Sequence, residues 1–228
     1  MRRTLLLPIL LSGSCIDFYA GIPCSGNGNC PTGYYCGSEG TCETSGASVS
    51  TCPDDVTVDL GFVVMDAYEA SRADATVSSA GTDDSIACSR AGVLPWEPTG
   101  DQIATACEAA GKRLCSEQEL TDACTGSAGN RFPYGNEYIS GTCNDESGDG
   151  AVAPTGSFPD CVDASGQIFD LIGNVADGFG YDSGAGWVAE GYAHGGGYLA
   201  SPLFSAECGG RNNFTNSGGD PGGFRCCQ

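Results

Sequence analysis

The chain of 228 residues has one histidine, His194, and only nine lysines and arginines. A single histidine excludes any metal site built on a histidine triad. No G-x-S-x-G elbow, phosphate loop or histidine-rich metal motif occurs. No apolar run reaches the roughly 20 residues that a membrane-crossing helix needs. C-x-x-C pairs are absent too, and the adjacent Cys226 and Cys227 could not easily ligate one tetrahedral ion, so the cysteines do not read as zinc ligands. Twenty-nine acidic residues against nine basic ones leave a formal charge of −20. Such a surface repels nucleic acid and anionic membranes.

What the chain does have is cysteine and glycine. Fifteen cysteines place it in an oxidising compartment. Thirty-six glycines, about twice ordinary usage, imply long irregular loops. Covalent bridges, with or without a metal, must then supply constraint that a small regular core does not. Arg2 and Arg3 precede the apolar run Leu5–Leu11, and Leu11-Ser12-Gly13-Ser14-Cys15 follows. This reads as a secretion signal ending at a cysteine, with Cys15 a candidate lipid-bearing N-terminus. Fourteen cysteines then remain, an even number. Plain secretion is the alternative. The expected location is secreted or lipid-anchored at a bacterial cell envelope, with membrane attachment through lipid only.

Four segments are expected: a signal over 1–15, a small cysteine-rich module over 16–46, a linker over 47–51 and one larger domain over 52–228. In the module Cys24, Cys30, Cys36 and Cys42 recur every six residues, and two bridges among them are the expected scaffold. In the larger domain Val56–Tyr68 reads as a strand. A capping box from Thr99 to Gln102 opens a first helix carrying Ile103, Ala104, Cys107 and Ala110, which Gly111 ends. A second box, Ser116 to Glu119, opens a helix running to about Cys124. Beyond Gly129 only turns, short strands and glycine-rich loops are expected.

An ordered set of motifs runs through this domain: Met65–Ser71, Gly111–Leu120, Phe132-Pro133-Tyr134-Gly135-Asn136, Pro154–Pro159, Phe169–Asp177, His194–Tyr198 and Gly223-Phe224-Arg225. The set resembles the formylglycine-generating enzyme, or sulfatase-modifying factor, family over about 52–228. The resemblance implies an α+β fold, a loop-rich variant of the C-type-lectin-like fold. It also implies two disulfides, Cys107–Cys226 and Cys124–Cys208.

Asp170 and Asp177 flank a tight glycine-containing loop, and hard oxygen donors of this kind suit calcium. In the resembling family calcium is held by the side chains at Asp170 and Asp177 and the carbonyls at Gly173 and Val175. Here Ala176-Asp177 stands where the family has Trp-Glu, so the acid is one methylene shorter. Asn144 matches a position in a second calcium site. Asp145–Gly150 resembles half of an EF-hand loop, but it has neither the closing glutamate nor flanking helices, and it reads as a solvated acidic loop.

The family's reaction oxidises a substrate cysteine with molecular oxygen and needs two thiols that bind copper(I), a soft metal on soft ligands. Those positions fall on Ala200 and at or near Ser205. Cys208 is close by but is claimed by the pairing with Cys124. No copper is therefore expected, and the scaffold reads as a pseudoenzyme with no catalytic residue. The favoured function is a non-catalytic binding or structural domain with a glycan or protein ligand. The alternative is a copper-dependent oxidase or another enzyme on the same fold. Trp187, Tyr192 and His194 are candidate ligand contacts, with core-capping aromatics and a hydrogen-bonded loop histidine as the plainer readings.

Overall fold

The computed structural model describes residues 23, 34–36, 41–44, 52–98, 102–201, 205–213 and 222–228. Cys15, Cys24, Cys30, the linker and Thr99 lie outside them. The chain divides into two compact units, Met1–Val49 and Ser50–Gln228. In the first, β1 (Tyr34–Cys36) and β2 (Cys42–Thr44) form an antiparallel pair with Cys36 opposite Cys42.

The second unit begins with β3 (Thr57–Asp59), β4 (Val64–Asp66), β5 (Ala70–Arg72) and β6 (Ala87–Ser89). Helix α1 (Gln102–Ala109), β7 (Arg113–Leu114) and helix α2 (Glu117–Thr125) follow. The chain closes with β8 (Ala176–Asp182), β9 (Trp187–His194), β10 (Arg211–Asn213), β11 (Gly222–Phe224) and β12 (Cys226–Cys227). One sheet has the order β3-β4-β12-β7 and another β10-β9-β8-β11, while β5 and β6 pair separately. Strand β11 runs parallel to β8; the other pairings are antiparallel.

Both helices follow from local sequence. Ser116 Oγ accepts from the Glu119 N–H at 3.3 Å, and Glu119 Oε2 accepts from the Ser116 N–H at 2.8 Å. This reciprocal cap satisfies two donors that the first turn leaves open. Glu119 also holds Arg113 through both carboxylate oxygens, at 2.8 and 2.6 Å, tying α2 to β7. Helix α1 buries Ile103, Ala106 and Cys107 and is followed by Gly111 at φ 72°. That left-handed conformation carries no Cβ penalty in glycine.

Two segments differ from expectation. Val56–Tyr68 is a tight hairpin, β3–β4, rather than one strand. Gly61 sits at φ 82°, its N–H donates to Asp59 Oδ1 at 2.8 Å, and the Leu60 N–H donates to the Val63 carbonyl at 2.9 Å. The aspartate side chain closes the turn by bonding backbone two residues on. The glycine-rich stretch 178–197 is largely strand, and β8 with β9 forms the longest antiparallel pair among the described residues. Gly180 is required there: a Cβ on it would stand 2.5 Å from the Val188 carbonyl oxygen and 3.0 Å from Leu114 Cδ1. Glycine lets the hairpin lie directly on β7.

The buried apolar residues form two clusters. One gathers Met65, Cys115, Leu120, Phe132, Ile168, Leu171, Phe179 and Cys227; the other gathers Trp96, Ile103, Cys107, Leu114, Phe224 and Cys226. Five disulfides take up every cysteine from Cys52 to Cys227: Cys52–Cys88, Cys107–Cys226, Cys115–Cys227, Cys124–Cys208 and Cys143–Cys161. The longest closes 119 residues, and long closures restrict the unfolded chain most in principle.

Candidate functional site

Arg225, between β11 and β12, is the hub of a buried polar centre and is wholly shielded from solvent. Its Nε donates to Asp177 Oδ2 at 2.8 Å. Its terminal nitrogens donate to the carbonyls of Asp66, Phe169 and Asp170 at 3.3, 3.0 and 3.2 Å. Glu69 accepts from the Val175 N–H at 3.0 Å and from Asn174 Nδ2 at 2.5 Å. Asp170 Oδ2 accepts from the Gly156 N–H at 2.6 Å. Asp170 and Asn174 hold φ 55° and 52°, so the loop between β-bridge residue Phe169 and β8 turns left-handed twice at non-glycine positions.

Asp177 alone of the three buried carboxylates hydrogen-bonds the guanidinium, while Glu69 and Asp170 act on it through charge. Burial is the main force on all three acids: it pushes Asp170 up to about 6, raises Asp177, and holds Glu69 well above its usual range, with Asp170 and Asp177 adding repulsion. Burial works against the Arg225 charge, but Asp177, then Glu69, hold it firmly protonated. Asp177 Oδ1 is buried with no hydrogen-bond partner. An orphaned, desolvated carboxylate oxygen in a centre with surplus negative charge suits a hard cation. Asp170 and Asp177 are both buried in this centre. Among the described residues no three His, Cys, Asp or Glu side chains converge as a metal cluster, so carbonyls or water would have to complete the shell. Arg225 already occupies one Asp177 oxygen.

Asn144 is buried in the same neighbourhood. Its Nδ2 donates to the Ala151 carbonyl at 3.0 Å and to Asn174 Oδ1 at 2.9 Å, while its own carbonyl accepts from the Asn174 N–H at 2.7 Å. Gly173 passes so close that a Cβ there would stand 2.5 Å from the Asn144 oxygen. In this arrangement Asn144 stitches its loop to 173–174. The neighbouring acidic loop is only partly solvated. Asp145 is buried and accepts from Tyr138 Oη at 2.9 Å and from the Ser147 N–H at 2.9 Å, whereas 146–150 are exposed.

The positions matched to copper-binding thiols come together beside Gly196. A Cβ on Gly196 would lie 2.5 Å from Ala200 Cβ and 3.3 Å from the Ser205 backbone. Ala200 is buried and Ser205 nearly so. No sulfur is available there, because Cys208 is bonded to Cys124. The domain lacks the family's catalytic thiol pair.

His194 is 1% exposed, which sets aside a direct contact with an external ligand. Its Nε2 accepts from the Gly209 N–H at 3.1 Å, so the neutral ring carries its proton on Nδ1. Burial, with the Arg225 charge adding to it, pushes its pKa down to about 4. Trp187 is half-buried under Arg113, whose guanidinium lies 4.5 Å from the ring centroid, and packs on the second core cluster. That is a core-capping placement. Tyr192 is 40% exposed, with Arg211 4.1 Å over its ring.

Glu69 and Arg225 are the functional residues that sequence reasoning missed. Both lie inside motifs it singled out, and the signal was an arginine directly before two bonded cysteines in a strongly acidic chain. A separate cleft of about 440 Å³ lies away from both sites, between the loops 130–142 and 160–164.

An α+β, loop-rich domain cross-linked by five disulfides, with this charge centre, matches one family model. That model is the sulfatase-modifying factor enzyme 1-like domain, and it covers residues 101–228. The chain belongs to this family. Among solved structures it is similar to PvdO from Pseudomonas aeruginosa, at 21% identity and a TM-score of 0.46, over 72% of this chain and 79% of that one. It is also similar to CarF, at 20% identity and a TM-score of 0.37, over 51% and 47%. No curated protein matches.

Proposed function

We propose that residues 52–228 form a non-catalytic binding or structural domain on the sulfatase-modifying factor scaffold, stabilised by calcium. The observation that carries this reading is the pair Ala200 and Ser205 beside Gly196, in a domain whose every cysteine is already bonded. A methyl group cannot bind copper(I), and a neutral hydroxyl binds it poorly. The scaffold is read as a variant of the C-type-lectin-like fold, a framework that carries loops for recognition. The ligand class is a glycan or a protein.

Calcium, when bound, would balance the surplus charge of Glu69, Asp170 and Asp177. Asp170 and Asp177 would supply carboxylate oxygens, while Glu69 holds the loop through Asn174 and Val175. Arg225 keeps Asp177 oriented. The dense cross-linking supports an oxidising location, secreted or lipid-anchored through Cys15, with 16–46 as a small cysteine-rich spacer. Among the described residues no helix is long and apolar enough to cross a membrane.

Two measurements test the reading. A formylglycine assay on a cysteine-containing sulfatase peptide, with copper and oxygen, should stay at the no-enzyme background; clear turnover would overturn it. A glycan and peptide array probed with the calcium-loaded protein should show selective binding. Silence there, with the fold verified, would leave a purely structural role.

A further inference from the structure

The cleft between 130–142 and 160–164 belongs to neither the charge centre nor the Gly196 site. Its walls are Asn130, Pro133, Tyr134, Ile139, Asp160 and Val162, with Thr142, Asp163 and Ala164 completing it. At about 440 Å³ it has the size of a small-ligand site. It is also built to keep its shape. The Cys143–Cys161 disulfide staples the two loops directly behind Thr142 and Val162. The Cys208 N–H, on a residue bonded to α2 through Cys124, donates to the Arg131 carbonyl at 2.8 Å and anchors the first loop. Tyr134 stacks on the buried Phe132 with ring centroids 5.5 Å apart and planes 6° from parallel. One ring face is therefore covered by Phe132, and the ring itself lines the cleft.

The charge in this cleft has one sign. Asp163 accepts from the N–H groups of Ser165, Gln167 and Ile168 at 3.0, 2.9 and 2.8 Å, and from Ser165 Oγ at 3.0 Å. Those donors hold its carboxylate rigid and ionised. Asp160 is exposed, and its carboxylate has no hydrogen-bond or ion-pair partner among the described residues. No lysine, arginine or histidine lines the cleft. A cleft lined by an aromatic ring and two carboxylates attracts a cation through the ring quadrupole and through charge. The apolar walls Pro133, Ile139 and Val162 suit an aliphatic stem leading to that head.

We propose that this cleft receives a lysine side chain of a partner protein, with the ammonium between Tyr134 and Asp160 and the methylene stem along Ile139 and Val162. The inference deepens the binding-domain reading and rests on it. The whole oxidised chain can be titrated with the peptides Ac-Val-Lys-Val-amide, Ac-Val-Gln-Val-amide and Ac-Val-norleucine-Val-amide, followed by nuclear magnetic resonance shifts. The lysine peptide should bind about fivefold or more tightly than either neutral one, and raised salt should narrow the gap. Tyr134→Leu should weaken it by about threefold to fivefold. Asp160→Asn, at an exposed position with no partner to lose, should weaken it by about threefold without changing the melting temperature. Equal binding of all three peptides, or no shift in residues 130–142 and 160–164 with the fold intact, would overturn the proposal. Selective array binding elsewhere on the domain would still support the broader reading, so the two failures are distinguishable.

Discussion

Cys226 and Cys227 are neighbours in β12 and are bonded to opposite halves of the core. Cys226 joins Cys107 of α1 in one apolar cluster, and Cys227 joins Cys115, just after β7, in the other. Successive side chains of a strand point to opposite faces, so two adjacent cysteines can serve two clusters without strain. Their backbones pair with Leu114 and Arg113 on one side, and Cys227 pairs with Met65 on the other.

The first prediction follows from that geometry. Replacing both members of either pair with serine should cost about 2–5 kcal/mol of stability. The pairing itself is checked by mass spectrometry of non-reduced peptides. Recovery of Cys115 linked to Cys226, or Cys107 to Cys227, would contradict the face assignment.

A calcium ion held by the folded loop and not by the unfolded chain, as proposed, should raise the melting temperature. Asp170→Ala and Asp177→Ala should each abolish that calcium-dependent rise. Asp177→Ala should also lower stability without calcium, by about 3–5 kcal/mol, since it removes the carboxylate hydrogen-bonded to the buried Arg225. Calorimetric titration of the chelator-treated protein is the direct check, and a flat trace into the millimolar range would sink the site.

Acid should act on Asp66 in an unusual direction. Asp66 is buried at β4, where its Oδ1 accepts from Lys112 Nζ at 2.6 Å and its Oδ2 from the Cys226 N–H at 3.1 Å. Burial raises its pKa from 3.8 to about 6 although Lys112 opposes the shift. Between those values the folded state holds a proton that the unfolded chain does not. Its contribution to stability therefore grows as the pH falls through about 6 and levels off below 3.8. The full effect is at most on the order of 3 kcal/mol. Asp66→Asn should flatten this component of the melting profile between pH 4 and 7.5. Parallel profiles for the two proteins would refute the assignment.

Gly180→Ala tests the close approach of β8 to β7. The added methyl meets the Val188 carbonyl oxygen and Leu114 Cδ1. A backbone shift costing about 1–3 kcal/mol is expected, read as a lower denaturation midpoint. An unchanged midpoint would mean that the hairpin relaxes freely.

Local chemistry was legible in the sequence where short-range bonds decide the structure. The Ser116–Glu119 capping box and the Gly111 stop of α1 need only neighbours a few residues away. The Cys107–Cys226 and Cys124–Cys208 bridges came from the order of motifs, which a family resemblance carries even when no local rule does. Reading Val56–Tyr68 as one strand failed because alternation does not register a turn closed by a single side chain, Asp59 onto Gly61. The length of the β8–β9 hairpin was not legible, where only short strands and glycine-rich loops were expected beyond Gly129, because glycine there serves close packing rather than freedom.

The sequence by itself determined the cysteine-rich, acidic, glycine-rich character of the chain. It also determined the residues at the thiol positions, since Ala200 and Ser205 carry no sulfur in any fold. Only the tertiary structure decided what the buried charges do. Glu69, Asp177 and Arg225 are separated by as many as 156 positions along the chain, yet they share one desolvated centre. Their charge states and the orphaned Asp177 oxygen arise from burial and mutual distance. The single histidine makes the same point: its residue type suggested a contact, and its burial beneath Gly209 turned it into a neutral hydrogen-bond acceptor. Solvent exclusion and long-range charge pairing are properties of packed elements, and sequence proximity does not encode them.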